Sequence, residues 1–517
     1  MKTGFDYHRD RNIVETSKGA VRGYISEDVY CFAGIPYAKA ERFCEAEEAE
    51  PWEGVLDTTD YGSVAPLLHP MNMGGQLLTP HRMQTQDEYC QYLNIWTPVI
   101  NRDAKLPVMV WLHGGGYFEG SSIEQDAYDG KNLALNEQVV VVTLNHRLNI
   151  LGYLDVAVLG ETYENSGNAG MTDIVEALKW IQKNIHAFGG DSDNVTLFGQ
   201  SGGGGKIITL MQIPLAEGLF QKAIIQSGVL PVDRTPAAEV RAGNAMLVKA
   251  MAEYLQLKDT MELTTVVYDR LREAYLQAKR RLRKQGIVCG GNGPVPNDYY
   301  KGDPDIAGFT EMAKKIPIIC GSTFAEICFA PDIVDRDQIG QEEVQRLLEQ
   351  KYTKEGVDKL IPAFQEAFPD KPLADLLVID HMIRRETLRF TEQFAKEGKR
   401  PIFNYLFTFD FLYNGRKAAW HCSEIPFVFH NIDRIPVCKI PGARETEEQM
   451  CHTFAAFART KEFRNIEELP GGWKPYQTEK RHVMRFDRES KEMSLTDCGL
   501  QELLEKYLPV FMPDFED

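Results

Sequence analysis

The stretch Asn194-Val195-Thr196-Leu197-Phe198-Gly199-Gln200-Ser201-Gly202-Gly203-Gly204-Gly205-Lys206 decides how the rest of the chain is read. Its apolar lead-in has the composition of a buried strand, and Ile207-Ile208-Thr209-Leu210-Met211 after the glycines opens a packed helix. Gly-x-Ser-x-Gly between a strand and a helix is a nucleophile elbow. Gly199 and Gly203 omit the Cβ atoms that would collide at so sharp a corner, so Ser201 can take a strained conformation and hold its hydroxyl clear of the sheet. The following helix aims its first NH groups at that spot, where they favour negative charge on oxygen. Ser201 is the candidate nucleophile. A phosphate loop is excluded, because GxxxxGK[ST] ending on Lys206 requires glycine at 200 and Ser/Thr at 207, and the chain has Gln200 and Ile207. A glycine-rich turn with an incidental serine stays open until other segments are added.

Composition sets the bounds. The chain has 517 residues, of which 43% are hydrophobic and 26% charged, with no internal repeat, so a folded protein with a large core is expected. The formal net charge of −18 argues against nucleic acid or an anionic membrane as a partner, since the summed field repels both. No signal-type apolar run opens the sequence and no transmembrane-length stretch follows, which predicts a soluble, cytoplasmic protein, a monomer or weak homo-oligomer. The 10 cysteines include no CxxC pair, so reduced, buried thiols are expected rather than a zinc site or a disulfide framework.

Working outward, Leu106-Pro107-Val108-Met109-Val110-Trp111-Leu112 is an apolar strand that runs into His113-Gly114-Gly115-Gly116-Tyr117. Three glycines directly after a buried strand let backbone NH groups converge on one point, as in the HGGG element of esterases and lipases. With the NH of Gly202 they would complete an oxyanion hole. Gln138 to Leu144, too apolar for an edge, reads as a central strand, and Asn168 to Phe188 as an amphipathic helix. Further strands are expected at 92–98, 220–228, 316–321 and 402–407, in doubly wound α/β order. Two β-rich runs, Lys18–Gly23 and Val29–Tyr37, suggest an N-terminal hairpin. Residues 60–88, with Pro66, Pro70, Met71, Met73, Gly74, Gly75 and Pro80, form a long irregular loop of the kind that serves function.

A serine nucleophile needs an imidazole to take its proton and a carboxylate to orient the ring, in the chain order Ser, acid, His for this architecture. His381, His421, His430, His452 and His482 lie beyond Ser201; His421, in a loop between the strand 402–407 and the apolar run 425–429, is in the right kind of place, and His430 is its nearest rival. Glu326, just past the strand end at Gly321, is the candidate acid.

On these segments the chain closely resembles the type-B carboxylesterases, which include bacterial para-nitrobenzyl esterases and are related to cholinesterases. The likeness runs through Phe32–Tyr37, Tyr92–Trp96, His113–Gly116, Asn145–Leu148, Gly167 to Asp191, Asn194–Ser201, Ile425–Phe429 and Phe486-Asp487. It implies one α/β-hydrolase domain over 1–517, with a lid-like loop at 60–88 and helical insertions at about 230–290 and 330–400 packed over the strand ends. It implies a triad of Ser201, Glu326 and His421, oxyanion donors at Gly115, Gly116 and Gly202, a small-molecule ester as partner, and no metal or cofactor. An inactive binding protein on the same fold, or a hydrolase of amides, carbamates or lipids, is the alternative. The chain departs from the family's usual GESAGG in having Gln200 and Gly202, and of the usual DEG around the acid it keeps only Glu326. Cys90 matches a cysteine that closes a disulfide across the 60–90 loop in secreted members, but Val64-Ala65-Pro66-Leu67 offers no partner thiol.

Overall fold

Val108, Val110 and Leu112 point to one side of their strand and Met109 and Trp111 to the other, and all five are fully buried. A strand buried on both faces belongs inside a sheet that carries helices on each side. The computed structural model describes residues 4–69, 77–291, 293–326, 335–413, 415–463, 469–494 and 497–508. Its main sheet contains β1 (Phe5–Asp6), β2 (Tyr24–Ser26), β3 (Val29–Pro36), β4 (Tyr92–Thr97), β5 (Leu106–Leu112), β6 (Val140–Leu144), β7 (Gly190–Gln200), β8 (Lys222–Gln226), β9 (Ile318–Thr323), β10 (Ile402–Phe407), β11 (His482–Phe486) and β12 (Lys491–Ser494). These 12 strands lie in the order β1-β2-β3-β4-β6-β5-β7-β8-β9-β10-β11-β12. From β6 across to β11 the pairing is parallel. The N-terminal strands and β12 pair antiparallel.

The chain winds outward in opposite directions from β5, to β6 on one side and to β7 on the other. Such a reversal opens a crevice at the carboxyl ends of the strands. His113–Gly116 follows β5 and Ser201 follows β7, so the topology alone brings the two glycine segments together.

The two β-rich runs of residues 18–37 do not pair with each other. Ala20–Arg22 joins Ile13–Glu15 and Val55–Asp57 in a separate three-stranded sheet, while β3 folds back on β2 as the hairpin. The divide is at Gly23: its NH donates to Asn12 O (3.0 Å), and a Cβ there would stand 2.3 Å from Cys31 O, so only glycine lets the chain step from one sheet to the other.

Helix α1 (Ala169–Asn184) and helix α2 (Gly202–Leu210), which follows the elbow, pack into the core on the Val108/Val110 face. Helices α3 (Ala237–Leu255) and α4 (Tyr268–Arg283) form a separate apolar cluster with Phe43, Leu68, Ile150 and Leu154. Between β9 and β10 the chain forms α5 (Gln341–Ala367) and then α6 (Ile383–Glu397). Rather than capping strand ends, α6 lies along the sheet: its buried Arg384 donates to Tyr405 O (3.1 Å) and to Asn404 Oδ1 (3.0 Å), both on β10. In the 60–88 loop, residues 70–76, among them Pro70, Met71, Met73, Gly74 and Gly75, lie outside the described residues. The loop's ends are laced by Val64 N to Thr85 O (2.9 Å) and Asp87 N to Val64 O (3.0 Å). Cys90 is a buried free thiol packed with Ala65 and Leu148. No helix among the described residues is long and apolar enough to cross a membrane.

Candidate active site

Ser201 stands between β7 and α2 with φ 56° and ψ −126°, a left-handed backbone that costs a non-glycine residue about 1–3 kcal/mol. The glycines around it make the corner possible. A Cβ on Gly203 would lie 1.9 Å from Leu112 O, and one on Gly199 would lie 2.7 Å from Gly203 C. The Ser201 NH is satisfied by Gln226 O on β8 (2.8 Å), which ties the elbow into the sheet.

The glycine loop after β5 closes over this corner. Gly115 and Gly116 have φ of +80° and +61°, conformations that favour glycine, and Gly115 O accepts from the NH groups of Phe118 and Glu119, both at 3.1 Å. Asn149 pins the far side of the loop, its NH donating to Tyr117 O (2.7 Å) and its side chain to Phe118 O (3.1 Å). A Cβ on Gly202 would lie 2.4 Å from Gly116 N. Glycine at 202 thus lets the loop sit directly on the first residue of α2.

Glu326 and His421 come from segments 95 positions apart and meet with Oε2 2.6 Å from Nδ1. Backbone pairing holds them there: Ala325 N donates to Ala419 O (2.8 Å) and His421 N to Glu326 O (3.2 Å). The carboxylate is wholly buried, and Oε1 accepts from Ser227 Oγ and Thr323 N, both at 2.6 Å. Neutral donors stabilise the anion without cancelling it. With the ring proton on Nδ1 facing Glu326, Nε2 carries the lone pair. That atom accepts from Gln200 Nε2 (3.2 Å), whose Oε1 in turn accepts from Cys422 Sγ (3.2 Å). Gln200 is the residue before Ser201, so this nitrogen is turned toward the elbow.

Two further acids lie near this pair. Asp380 is pushed up to about 7 and Glu424 to about 8, in each case by burial first and then by the negative charge of Glu326. Near neutral pH Glu424 is therefore mostly protonated in the folded protein, and Asp380 is divided between its two forms. Asp380 also caps α6, accepting from Arg384 N (2.6 Å).

Ser201, Glu326, His421 and the glycines at 115, 116 and 202, which the sequence points to, all follow carboxyl ends of strands in the main sheet. The sequence does not point to Ser227, Thr323, Asp380 or Glu424. Gln200 was visible only as a departure from the family motif, and Lys206 only as a test of the phosphate loop. His430, the rival base, lies with Nδ1 2.8 Å from Glu447 Oε2 in a separate pair.

An elbow serine at a switch point, a glycine loop against it and a buried Glu–His pair define an α/β hydrolase of the esterase kind. Comparison with known proteins agrees. The model of the carboxylesterase family matches residues 10–501. The chain is 33% identical over 494 residues to the para-nitrobenzyl esterase of Bacillus subtilis (strain 168), covering 92% of this chain and 95% of that one. It is 30% identical over 501 residues to the fumonisin B1 esterase of Sphingopyxis macrogoltabida, covering 93% and 85%. A solved esterase from the anaerobe Clostridium hathewayi, described as able to hydrolyse aliphatic aromatic polyesters, superposes with a TM-score of 0.91 at 42% identity, covering 98% of this chain and 100% of the other. The chain belongs to the carboxylesterase family, type B; it is a serine hydrolase that cleaves carboxylic ester bonds.

Proposed function

We propose that catalysis runs through Ser201 as nucleophile, His421 as general base and then acid, Glu326 as the carboxylate that orients and stabilises the ring, and the NH groups of Gly115, Gly116 and Gly202 as oxyanion donors. Ser201 Oγ attacks the ester carbonyl while its proton passes to His421 Nε2, the atom that Gln200 holds at rest. The tetrahedral oxyanion is held by the amides, His421 returns the proton to the departing alkoxide, and an acyl-enzyme remains. Water, deprotonated by the same nitrogen, then attacks the acyl carbonyl and releases the acid and free Ser201. The observation that carries this reading is the 2.6 Å contact between Glu326 and His421, with the ring's other nitrogen on the residue next to a strained serine.

The substrates we infer are neutral, mostly apolar esters, since a net charge of −18 disfavours anionic ones. The likeness to the polyester-hydrolysing esterase extends the proposal to aliphatic aromatic polyesters. The nine described cysteines are all free, which supports a reducing, cytoplasmic setting. Ser201→Ala should lower turnover of p-nitrophenyl butyrate by up to about 10⁶-fold and abolish release of soluble monomer from a polyester film. Retained turnover in a folded Ser201→Ala protein refutes the assignment.

A further inference from the structure

Lys206 is the fifth residue after Ser201 and the only cation on α2, and it is wholly buried. Its Nζ donates to His113 O (2.9 Å), the carbonyl immediately before the three glycines of the oxyanion loop. His113 Nδ1 lies 2.9 Å from Gly114 O, and its ring packs 4.9 Å from that of His146. A solvated face would cost nothing to place a lysine on; a buried one needs a partner that repays its desolvation. The partner here is a peptide carbonyl of the loop that covers the nucleophile.

We propose that Lys206 is a positioning residue for the oxyanion hole: by clamping His113 O from beneath, it fixes the tilt of the Gly114–Gly116 peptides and so the direction in which the amides of Gly115 and Gly116 point. The proposal rests on the oxyanion assignment made above. The carbonyl of 113 and the amide of 114 share one peptide plane, so drawing that oxygen toward Lys206 turns the next amide the opposite way. Gly115 and Gly116 have no side chains to resist reorientation, and a loop of three glycines needs an anchor at its root to stay preorganised.

The charge on the clamp is sensitive to pH. Burial draws Lys206 down to about 7, and Glu124, on the same loop, opposes that shift. Glu124 is itself pushed up to about 8, by burial and then by Glu119. The other groups facing the site are Tyr117, whose ring lies 6.0 Å from Nζ, and the imidazoles of His113 and His146, both driven well down by burial and then by Lys206. Arg147 adds to the shift at His146. With both rings neutral, Lys206 is the cation that titrates beneath the loop near neutral pH. Below its transition the clamp is a charge-assisted hydrogen bond; above it, a weaker neutral one.

The test compares Lys206→Met, which removes charge and donor, with Lys206→Gln, which keeps a donor without charge. The measurements are kcat and KM for p-nitrophenyl butyrate from pH 6 to 10, and Ki for a trifluoromethyl ketone carrying the same acyl chain. In Lys206→Met kcat should fall about 10²-fold with KM little changed, and Ki should weaken by the same factor as kcat/KM. Fluorophosphonate should still label one Ser201 per chain. Lys206→Gln should recover part of kcat but lack the alkaline fall expected of the wild type. A folded Lys206→Met protein with wild-type kcat and Ki, or one that loses thermal stability with Ki unchanged, overturns the proposal. If neither variant folds, the wild type decides: kcat and Ki that stay flat from pH 7 to 10 overturn it. Failure of the triad reading is separately visible, as activity surviving Ser201→Ala.

Discussion

Residues 421–430 carry two buried histidines, each against a buried glutamate, and only one pair faces the elbow. Glu326 Oε2 meets His421 Nδ1 at 2.6 Å, and Glu447 Oε2 lies 2.8 Å from His430 Nδ1. The carboxylates are balanced differently. Glu447 also binds the guanidinium of Arg444 (2.9 Å) and the NH of Ile432 (3.1 Å), so a permanent cation already matches its charge. Among the described residues, Glu326 receives a hydroxyl and an amide besides the ring, and no permanent cation. Its negative charge is left for an imidazolium to use. A His–Glu contact is thus structural or chemical according to what else the carboxylate binds and what the ring's second nitrogen faces.

The sharpest way to break this comparison is to truncate each ring. His421→Gln should cost about 10⁶-fold in kcat, as removal of the base does in other triads. His430→Gln should leave kcat for p-nitrophenyl butyrate within about threefold and act on stability instead, by about 1–3 kcal/mol, seen in urea titrations. Exchanged outcomes would assign the base to His430. Next in size are the acids. Glu326→Gln keeps shape but removes the charge, and kcat should drop about 10⁴-fold while fluorophosphonate labelling slows rather than vanishes. Glu447→Gln, measured in the same assay, should turn over near the wild-type rate.

The smallest effect tests whether burial keeps Glu424 protonated beside Glu326. Glu424 ionises above its ordinary 4.5 when unfolded, but burial keeps it protonated in the folded protein until about 8. Between those values the unfolded chain has released a proton that the folded chain retains, so this group's contribution is complete below 4.5 and is lost as pH rises through 8. Glu424→Gln removes that dependence. Its stability relative to wild type should improve by on the order of 3 kcal/mol between pH 5 and pH 8 in denaturant titrations. A constant difference would mean that Glu424 is ionised in the fold.

Much of this was legible before any coordinates. The elbow and the glycine loop are local: glycine is required where a Cβ on residue 203 would strike Leu112 O, and the requirement is written in adjacent letters. The buried strands β5, β6 and β7 announce themselves by apolar side chains on both faces. What was not legible depends on distant partners. Nothing around Ala20–Arg22 says that it pairs with Val55–Asp57 rather than with Val29–Pro36. Ser227 and Thr323 look like any strand-end hydroxyls until Glu326 is set between them. His421 and His430 differ in sequence only by neighbours; Arg444, which separates their roles, lies three residues before Glu447 and well beyond both rings in the chain.

The backbone bonds from Ala325 to Ala419 and from His421 to Glu326 have one more consequence. They stitch the acid's segment to the base's, so the two side chains are mounted on one backbone block. The elbow hangs from β7 and β8 and is not part of that seam. The elbow's side of the site is joined to this block through side chains instead, Gln200 to the ring at 3.2 Å and Ser227 Oγ to Glu326 at 2.6 Å.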